Sequence, residues 1–275
     1  MERLQRVNLP VMERAAALAI GALEAGGGGG LAADLKTFES LGVAGAATAT
    51  ALAVSQGDVL TVLHDVPAPV VREQLRAACE APPPHAVKVG LLTTVPVIRL
   101  LAAELPALEA PVVLDPEMTG GGEARLLRRT SLSALVRELL PIAKVVTPSL
   151  LEASVLAGFP IRNEEDAKRA ARAIQNLGPR AILIKGGHAE GDDVVDGLLD
   201  GRTWSTFRRL RLGSRHIHGV GGTLSAALTA FLARGETLPD AVAKALDYTH
   251  RALAAAPGLA AGRGPLGHRE AAASR

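Results

Sequence analysis

The 275-residue chain is poor in aromatic side chains, in cysteine and in net charge. Phe, Trp and Tyr together make up 2% of it, which leaves few rings on which nucleic-acid bases could stack, so we expect no nucleic-acid partner. Its single cysteine, Cys79, excludes an intramolecular disulfide and a cysteine-based metal site. The formal net charge is only +2, with acidic and basic residues interspersed, so the chain has no polyanion-binding signature.

Long apolar runs are missing as well. No N-terminal stretch has the pattern of a signal peptide, and no apolar run is long and glycine-free enough to span a bilayer. We therefore expect a cytoplasmic protein without a membrane partner. Apolar residues make up 48% of the chain and can fill a core, but with so few aromatics that core must consist of Ala, Val and Leu.

Glycine is abundant, and one glycine-rich turn at 218–223, with the sequence HGVGGT, precedes an Ala-rich apolar segment. A turn of this kind that opens a helix leaves several backbone N–H groups unpaired, and the helix dipole adds partial positive charge. Such a helix start binds an anion, usually a phosphate. Taken alone the pattern is weak, since glycines before a helix often form only a turn.

A second glycine-rich segment, Gly26–Gly30, precedes a predicted helix. Five consecutive glycines must form a turn or a loop, because that much backbone entropy does not fit inside a helix or strand. Two interpretations remain open at this point: a flexible linker, or a loop over a ligand.

Apolar segments alternate between strand and helix patterns, which is typical of a doubly wound, mostly parallel sheet flanked by helices. Strands are expected at 44–54, 59–63, 85–92, 111–114, 143–147 and 181–184, followed by an antiparallel meander at 193–199 and 203–212. Helices are expected at 31–41, 67–81, 95–105, 132–140, 150–157, 163–177, 223–233 and 238–255. The segment 15–20 fits a strand or a helix, and its alanine content favours a helix.

The sequence contains no repeat and no interdomain linker. We therefore predict one domain at residues 14–257, preceded by an extension at 1–13. The Gly-, Ala- and Arg-rich tail at 258–275 is expected to be frayed.

Polar residues follow three of the predicted strands: Asp115, Thr147 with Glu152 close behind it, and Lys185. In open α/β sheets, ligands bind beyond the carboxyl ends of the strands. Carboxylates, a lysine and an anion-binding turn are the groups that phosphoryl transfer from a Mg-nucleotide needs. The P-loop pattern G-x-x-x-x-G-K-[ST] is absent, so this is not a P-loop enzyme.

Six stretches together resemble the hydroxymethylpyrimidine/phosphomethylpyrimidine kinase family of thiamin biosynthesis, which has a ribokinase-like fold. They follow the order and spacing of the family: GGGGGLAADLK (26–36), VKVG (87–90), VVLDPEM (112–118), VTPSLLEA (146–153), IKGGH (184–188) and HGVGGTLSA (218–226). The resemblance covers roughly residues 15–267. Pyridoxal kinases share the fold and are the nearest alternative.

The resemblance implies ATP and Mg²⁺ as cofactors, a small-molecule pyrimidine substrate and a homodimer. It also implies a role for each matching residue. The backbone of Gly219, Gly221 and Gly222 would form the anion hole for the transferring phosphoryl group; Lys185, Thr147, Glu152 and Asp115 would bind the nucleotide, Asp115 and Glu152 through Mg²⁺ and its waters; and Gly26, Gly27, Ser55 and Val89 would bind the substrate.

The chain departs from the family pattern at several of these positions. The family usually has Cys, and other ribokinase-like enzymes Asp, where Gly222 stands; that side chain is the candidate base for a substrate hydroxyl. The pyrimidine-binding Gln aligns with Ser55, the Asn of the N-x-x-E motif is Ser149, and an early Asp is Glu24. A lysine of the family is replaced within the glycines at 120–122.

These departures separate the two steps that the family performs. Phosphorylation of the pyrimidine alcohol needs a base, because a hydroxyl is a poor nucleophile until its proton is removed. Phosphorylation of the monophosphate does not, since that phosphate is already an anion at neutral pH, with a second pKa of about 6. We therefore predict a kinase that favours the monophosphate. The alternative is a degenerate paralogue that binds a pyrimidine or nucleotide without turnover.

Overall fold

The computed structural model describes residues 14–56, 59–80, 82–118, 127–187, 191–214, 216–259 and 264–273. The predicted extension at 1–13, the glycines at 120–122 and His188 lie outside the described residues. Among the described helices, none has the length and the apolar character that crossing a lipid bilayer requires.

One sheet of nine strands organises the described chain, with the strand order β3-β2-β1-β4-β5-β6-β7-β8-β9. The strands are β1 (Ala16–Glu24), β2 (Ala44–Gln56), β3 (Val59–Asp65), β4 (Ala86–Val89), β5 (Val112–Leu114), β6 (Val145–Val146), β7 (Ala181–Ile184), β8 (Asp193–Asp200) and β9 (Thr203–Leu210). The central strands from β2 to β7 pair in parallel, while β3, β8 and β9 are antiparallel to their neighbours. The predicted doubly wound α/β sheet is confirmed.

Helices cover both faces of the sheet. They are α1 (Gly30–Ser40), α2 (Ala68–Cys79), α3 (Val95–Glu104), α4 (Arg129–Ala134), α5 (Leu150–Ala157), α6 (Glu164–Gln175), α7 (Val220–Ala233), α8 (Leu238–Ala254) and α9 (His268–Ala273). The segment predicted as one helix at 132–140 is α4 continued by a π-helical turn, Leu135–Leu139, and a 3₁₀ turn, Leu140–Ile142.

The two faces hold separate apolar cores. On one face, α1, α7, α8 and α9 pack over Ala17, Val113 and Leu183. On the other, α2, α3 and α4 pack over Ile20 and Leu114, and α5 with α6 extends that layer over β7. Apart from a few aromatic and Met side chains, the buried apolar residues are Ala, Leu, Val and Ile, as the composition predicted.

Three expectations from the sequence are wrong. Residues 15–20 do not form a helix but begin β1, because a strand paired on both edges and buried on both faces gains more from its position than alanine gains from helix propensity. The helical spacing at 67–81 predicts that Val70 shares an apolar face with Val71, Leu75 and Ala78, but Val70 is exposed. The tail is not frayed over 264–273: Leu266, His268 and Ala271 are buried, and α9 packs on α1 and α8.

Candidate active site

The carboxyl ends of three parallel strands bring the predicted polar residues together. Lys185, after β7, donates from Nζ to Asp115 Oδ1, after β5, over 2.8 Å, and Ser225 Oγ on α7 donates to Asp115 Oδ2 over 3.0 Å. Burial alone would lower the pKa of Lys185, but the neighbouring carboxylates of Asp115 and Glu152 outweigh burial and raise it. The ammonium therefore stays charged beside the helix that begins at residue 220.

Glu152 is buried in the first turn of α5, where its carboxylate accepts backbone N–H bonds from Ser149 at 2.7 Å and Met118 at 2.9 Å. Burial favours a higher pKa for Glu152, yet Lys185 and these backbone donors lower it. Ser149 is the N-cap of α5 and accepts from the Glu152 backbone N–H, which completes a capping box. Serine caps a helix as well as asparagine does, so the departure at Ser149 preserves the local structure.

The predicted anion-binding turn has the expected form. Gly219 has φ of +81°, and a Cβ atom there would lie 2.0 Å from Gly28 O, so only glycine fits. Gly221 and Gly222 lie in the first turn of α7, which has no side-chain cap. Their N–H groups have no intrahelical acceptor and carry the positive end of the helix dipole. The turn can therefore hold a phosphoryl group.

The run Gly26–Gly30 is a built loop rather than a linker. Cβ atoms on Gly28 and Gly29 would lie 2.6 Å and 3.1 Å from ring atoms of His218, so the absent side chains let the imidazole rest on the loop. His218 Nε2 lies 2.7 Å from Glu24 Oε2, and this hydrogen bond is the main reason that the pKa of Glu24 is lowered. The two glycine-rich segments therefore contact each other.

The four residues predicted to bind the substrate do not all lie near the anion-binding turn. Ser55 lies beside the Glu24 carboxylate and helps to lower its pKa, so it belongs to the same group as His218. Gly27 O accepts from Lys36 Nζ at 2.6 Å, and Gly26 is exposed with open space around its α-carbon. The Val89 side chain is fully buried in the core under α2 and α3. Gly28 and Gly29, rather than Gly26 and Gly27, face the anion-binding turn.

A charged cluster that the sequence analysis passed over lies on the opposite face of β4 from Val89. Lys88 is wholly buried and donates from Nζ to Asp34 Oδ1 on α1 over 2.5 Å, with Glu117 Oε1 at 3.9 Å. A Cβ atom on Gly222 would lie 3.6 Å from Lys88 Nζ. The available signal was a lysine inside a buried apolar strand, where a charged side chain is rare unless it is paired.

Burial dominates the acid–base behaviour of this cluster. It raises the pKa of Asp34 to about 6 and that of Glu117 to about 7, although Lys88 lowers both. Glu117 also has a φ of 36°, in the left-handed region that non-glycine residues rarely adopt. Its carboxylate lies over Gly90, where a Cβ atom would be 2.8 Å from Oε1. A strained backbone and a crowded carboxylate are features that concentrate at functional sites.

The donor set suits Mg²⁺ held through water. Within the described part of the chain, no group of three or more His, Cys, Asp or Glu residues is arranged to hold a metal ion directly. Asp115 and Glu152 nevertheless supply hard oxygen atoms, and Mg²⁺ usually keeps several of its waters. Thr147 Oγ1 is buried without a hydrogen-bond partner among the described residues, so a polar ligand atom or water at this site would satisfy it.

Comparison with known proteins identifies the family of the chain. The family model described as phosphomethylpyrimidine kinase matches residues 24–267. A hydroxymethylpyrimidine/phosphomethylpyrimidine kinase from Rhizobium meliloti (strain 1021) is 40% identical over 257 residues, or 92% of this chain and 97% of the relative.

Two solved structures are similar over most of the chain. Pyridoxal kinase from Staphylococcus aureus in complex with AMP-PCP has a TM-score of 0.87 at 32% identity, covering 94% of each chain. Phosphomethylpyrimidine kinase from Clostridium difficile 630 has a TM-score of 0.77 at 30% identity, covering 86% of this chain and 98% of its own. With a family match that spans nearly the whole described fold and a relative at 40% identity, the chain belongs to the phosphomethylpyrimidine kinase family.

Proposed function

We propose that the protein transfers a phosphoryl group from ATP to hydroxymethylpyrimidine monophosphate in thiamin biosynthesis, and acts more slowly on the alcohol. The observation that carries this proposal is the open first turn of α7, where Gly221 and Gly222 present N–H groups and no side chain. A side-chain base at Gly222 is impossible, and a phosphate acceptor needs none.

Lys185 and Asp115 act on the donor side of that turn. A Cβ atom on Gly221 would lie 3.2 Å from Lys185 Nζ, so the ammonium and the first N–H groups of α7 face the same position. Preorganised donors of this kind stabilise the charge that develops on a transferring phosphoryl group. Asp115 and Glu152 would hold Mg²⁺ through its waters, and the ion would neutralise phosphate charge when bound.

Pyridoxal kinase activity is a second candidate. It is favoured by the structural likeness, since the S. aureus pyridoxal kinase has the higher TM-score of the two solved structures. Pyridoxal also presents an alcohol as its phosphoryl acceptor, so the missing base at Gly222 counts against it in the same way.

A coupled ADP-release assay with Mg-ATP tests the proposal, with hydroxymethylpyrimidine, its monophosphate and pyridoxal offered in parallel. Turnover of the monophosphate well above that of both alcohols is the expected result. A fast alcohol reaction at neutral pH would mean that another group supplies the base and that the proposed preference is wrong. Binding without turnover of any acceptor would place the protein with degenerate, non-catalytic relatives.

We also propose that two copies of the chain form a homodimer through an exposed apolar face. In the register of β1, β2 and β3, Leu23 pairs with Leu52 and Val54 with Val62, and all four side chains are exposed. A contiguous apolar patch of this kind favours a protein partner. The double substitution Leu52→Glu and Val62→Glu should convert a dimer to a monomer in light scattering, whereas Leu210→Glu on distant β9 should not.

A further inference from the structure

Two lysines flank the start of α7, one beside each glycine of its first turn. Lys185 lies next to Gly221, and Lys88 lies next to Gly222, 3.6 Å from the position of a Cβ atom there. The proposed transfer assigns a donor-side role to Lys185 but none to Lys88. Because Gly222 stands where the acceptor is expected, the charge of Lys88 bears on which acceptor the site takes.

The buried Lys88 ammonium donates fewer hydrogen bonds than its three N–H groups allow. Its Nζ carries three N–H groups, yet among the described residues it makes one hydrogen bond, to Asp34. Its other ionic neighbour, Glu117, is 3.9 Å away, which is too long for a hydrogen bond. Burying a cation is costly unless its donors are satisfied, so the Lys88 ammonium can still donate to a further acceptor.

Glu117 is the more exposed partner of that ammonium. Its Oε1 lies 3.9 Å from Lys88 Nζ, and its side chain is 28% exposed, whereas that of Lys88 is 1% exposed. Its contact with Lys88 is the weaker of the two ion pairs. A phosphate carries more charge and three acceptor oxygens, which makes it a stronger partner for an ammonium than a carboxylate at this distance.

We propose that Lys88 binds the phosphate of a phosphorylated acceptor, taking it in place of Glu117, and that the missing side chain at Gly222 leaves the room for this contact. Lys88 is then the residue that selects a monophosphate over the corresponding alcohol. This inference rests on the proposed function and names the residue that gives its specificity.

Four variants test it in steady-state assays with hydroxymethylpyrimidine and its monophosphate. Gly222→Ala adds a Cβ atom at an ordinary contact distance from Lys88, so it should fold normally and raise KM for the monophosphate about 10-fold. Gly221→Ala is the matched control, because its Cβ atom faces Lys185 and should affect both acceptors alike. Glu117→Gln removes the competing charge and should lower KM for the monophosphate alone.

The fourth variant combines Lys88→Met with Asp34→Asn, which removes both members of the buried pair together, so that Asp34 is not left as a buried charge without its partner. We expect the affinity for the monophosphate to fall about 10- to 100-fold, with KM for ATP and for the alcohol unchanged. Thermal unfolding checks that the variant is folded. An equal change for both acceptors would show that Lys88 has only a structural role and would overturn the inference.

Calorimetric titration of the monophosphate into the full-length protein separates this inference from the proposed function. Binding by the wild type and weaker binding by the double variant support the role of Lys88 even if no turnover is seen. Monophosphate turnover by the wild type, together with unchanged binding by the double variant, leaves the proposed function standing and overturns the inference. Absence of binding by the wild type overturns both.

Discussion

The site contains two lysine–carboxylate pairs that look alike in sequence and differ in their surroundings. Lys185 pairs with Asp115 at 2.8 Å, its side chain is 14% exposed, and Asp115 has a second donor in Ser225. Lys88 pairs with Asp34 at 2.5 Å, and its side chain is 1% exposed. Each lysine lies beside a different glycine of the first turn of α7.

The difference follows from the position of each lysine relative to its strand. Lys185 comes directly after β7, at the edge where ligands enter a parallel sheet. Lys88 lies within β4, on the face that α1 and α7 cover. The first pair is therefore the more accessible of the two, and the second is buried beside the position of Gly222. We propose a role in phosphoryl transfer for the first pair and in acceptor selection for the second.

The largest expected effect is a loss of stability, and it comes from breaking the Lys88–Asp34 pair, which is the more buried of the two. Lys88→Met leaves Asp34 buried without a counter-ion, which should lower the free energy of unfolding by about 3–5 kcal/mol at pH 7. Adding Asp34→Asn should restore most of it. Urea unfolding of the single and double variants measures both steps.

The pH dependence of the single variant gives a second check. The pKa of Asp34 is about 6 with Lys88 present and rises further without it, above its ordinary value of 3.8. A raised pKa in the folded state means that stability is present at low pH and lost as pH rises through that pKa. Lys88→Met should therefore gain stability from pH 7 to pH 5. A flat profile would mean that Asp34 finds another partner.

Breaking the more exposed pair, Lys185–Asp115, should affect activity more than stability. Lys185→Met removes a donor to the transferring phosphoryl group and should lower kcat by about 100-fold on every acceptor. Its loss of stability should be smaller than that of Lys88→Met, because Asp115 keeps Ser225. Lys144→Met is the control and should change neither, because the Lys144 side chain makes no ion pair or hydrogen bond with any described residue. A Lys185 effect confined to one acceptor would contradict the division between the two pairs.

The sequence predicted one pair and missed the other for a physical reason. Lys185 follows a recognisable apolar strand, so its position at a strand end could be predicted. Lys88 lies inside a strand that is buried on both faces, and in such a strand no alternation of polar residues shows which side chain faces the site. The family resemblance implied a substrate contact for its neighbour Val89, whose side chain is fully buried in the core.

Contacts between residues distant in sequence also explain why the structures of residues 15–20 and of the tail were not predicted. The order of strands and helices was predictable, because each element carries its own apolar pattern. For residues 15–20, which fit a strand or a helix, alanine content favoured the helix; the alanines instead reflect close packing of β1 between β2 and β4, which no local propensity reveals. The packed tail was missed because Leu266 and His268 are anchored by distant residues rather than by their own neighbours.

His268 contacts α7, the helix beside which both lysine–carboxylate pairs lie. Its Nε2 lies 3.0 Å from Thr223 Oγ1 in α7, and burial lowers its pKa to about 4 from the ordinary value of 6.5. Because the unfolded chain takes up the proton first, stability is complete above pH 6.5 and falls as pH decreases toward 4. The loss at pH 5 should be about 2 kcal/mol. The difference between wild type and His268→Gln across this range isolates it, and a constant difference would show that His268 does not titrate there.

The smallest expected effect on stability and on KM concerns the Lys185–Asp115 pair alone. Ser149 caps α5, and its backbone forms a parallel bridge with Lys185, so the cap helps to fix Glu152 beside that lysine. Ser149→Ala should cost about 1 kcal/mol of stability, whereas Ser149→Asn, an equally good cap, should cost almost nothing. If the cap also positions Glu152, Ser149→Ala should raise KM for Mg-ATP without changing the preference between acceptors, and Ser149→Asn should leave it unchanged. A changed acceptor preference in Ser149→Ala would mean that the donor and acceptor sides of the α7 turn are coupled, which two separate lysine pairs do not allow.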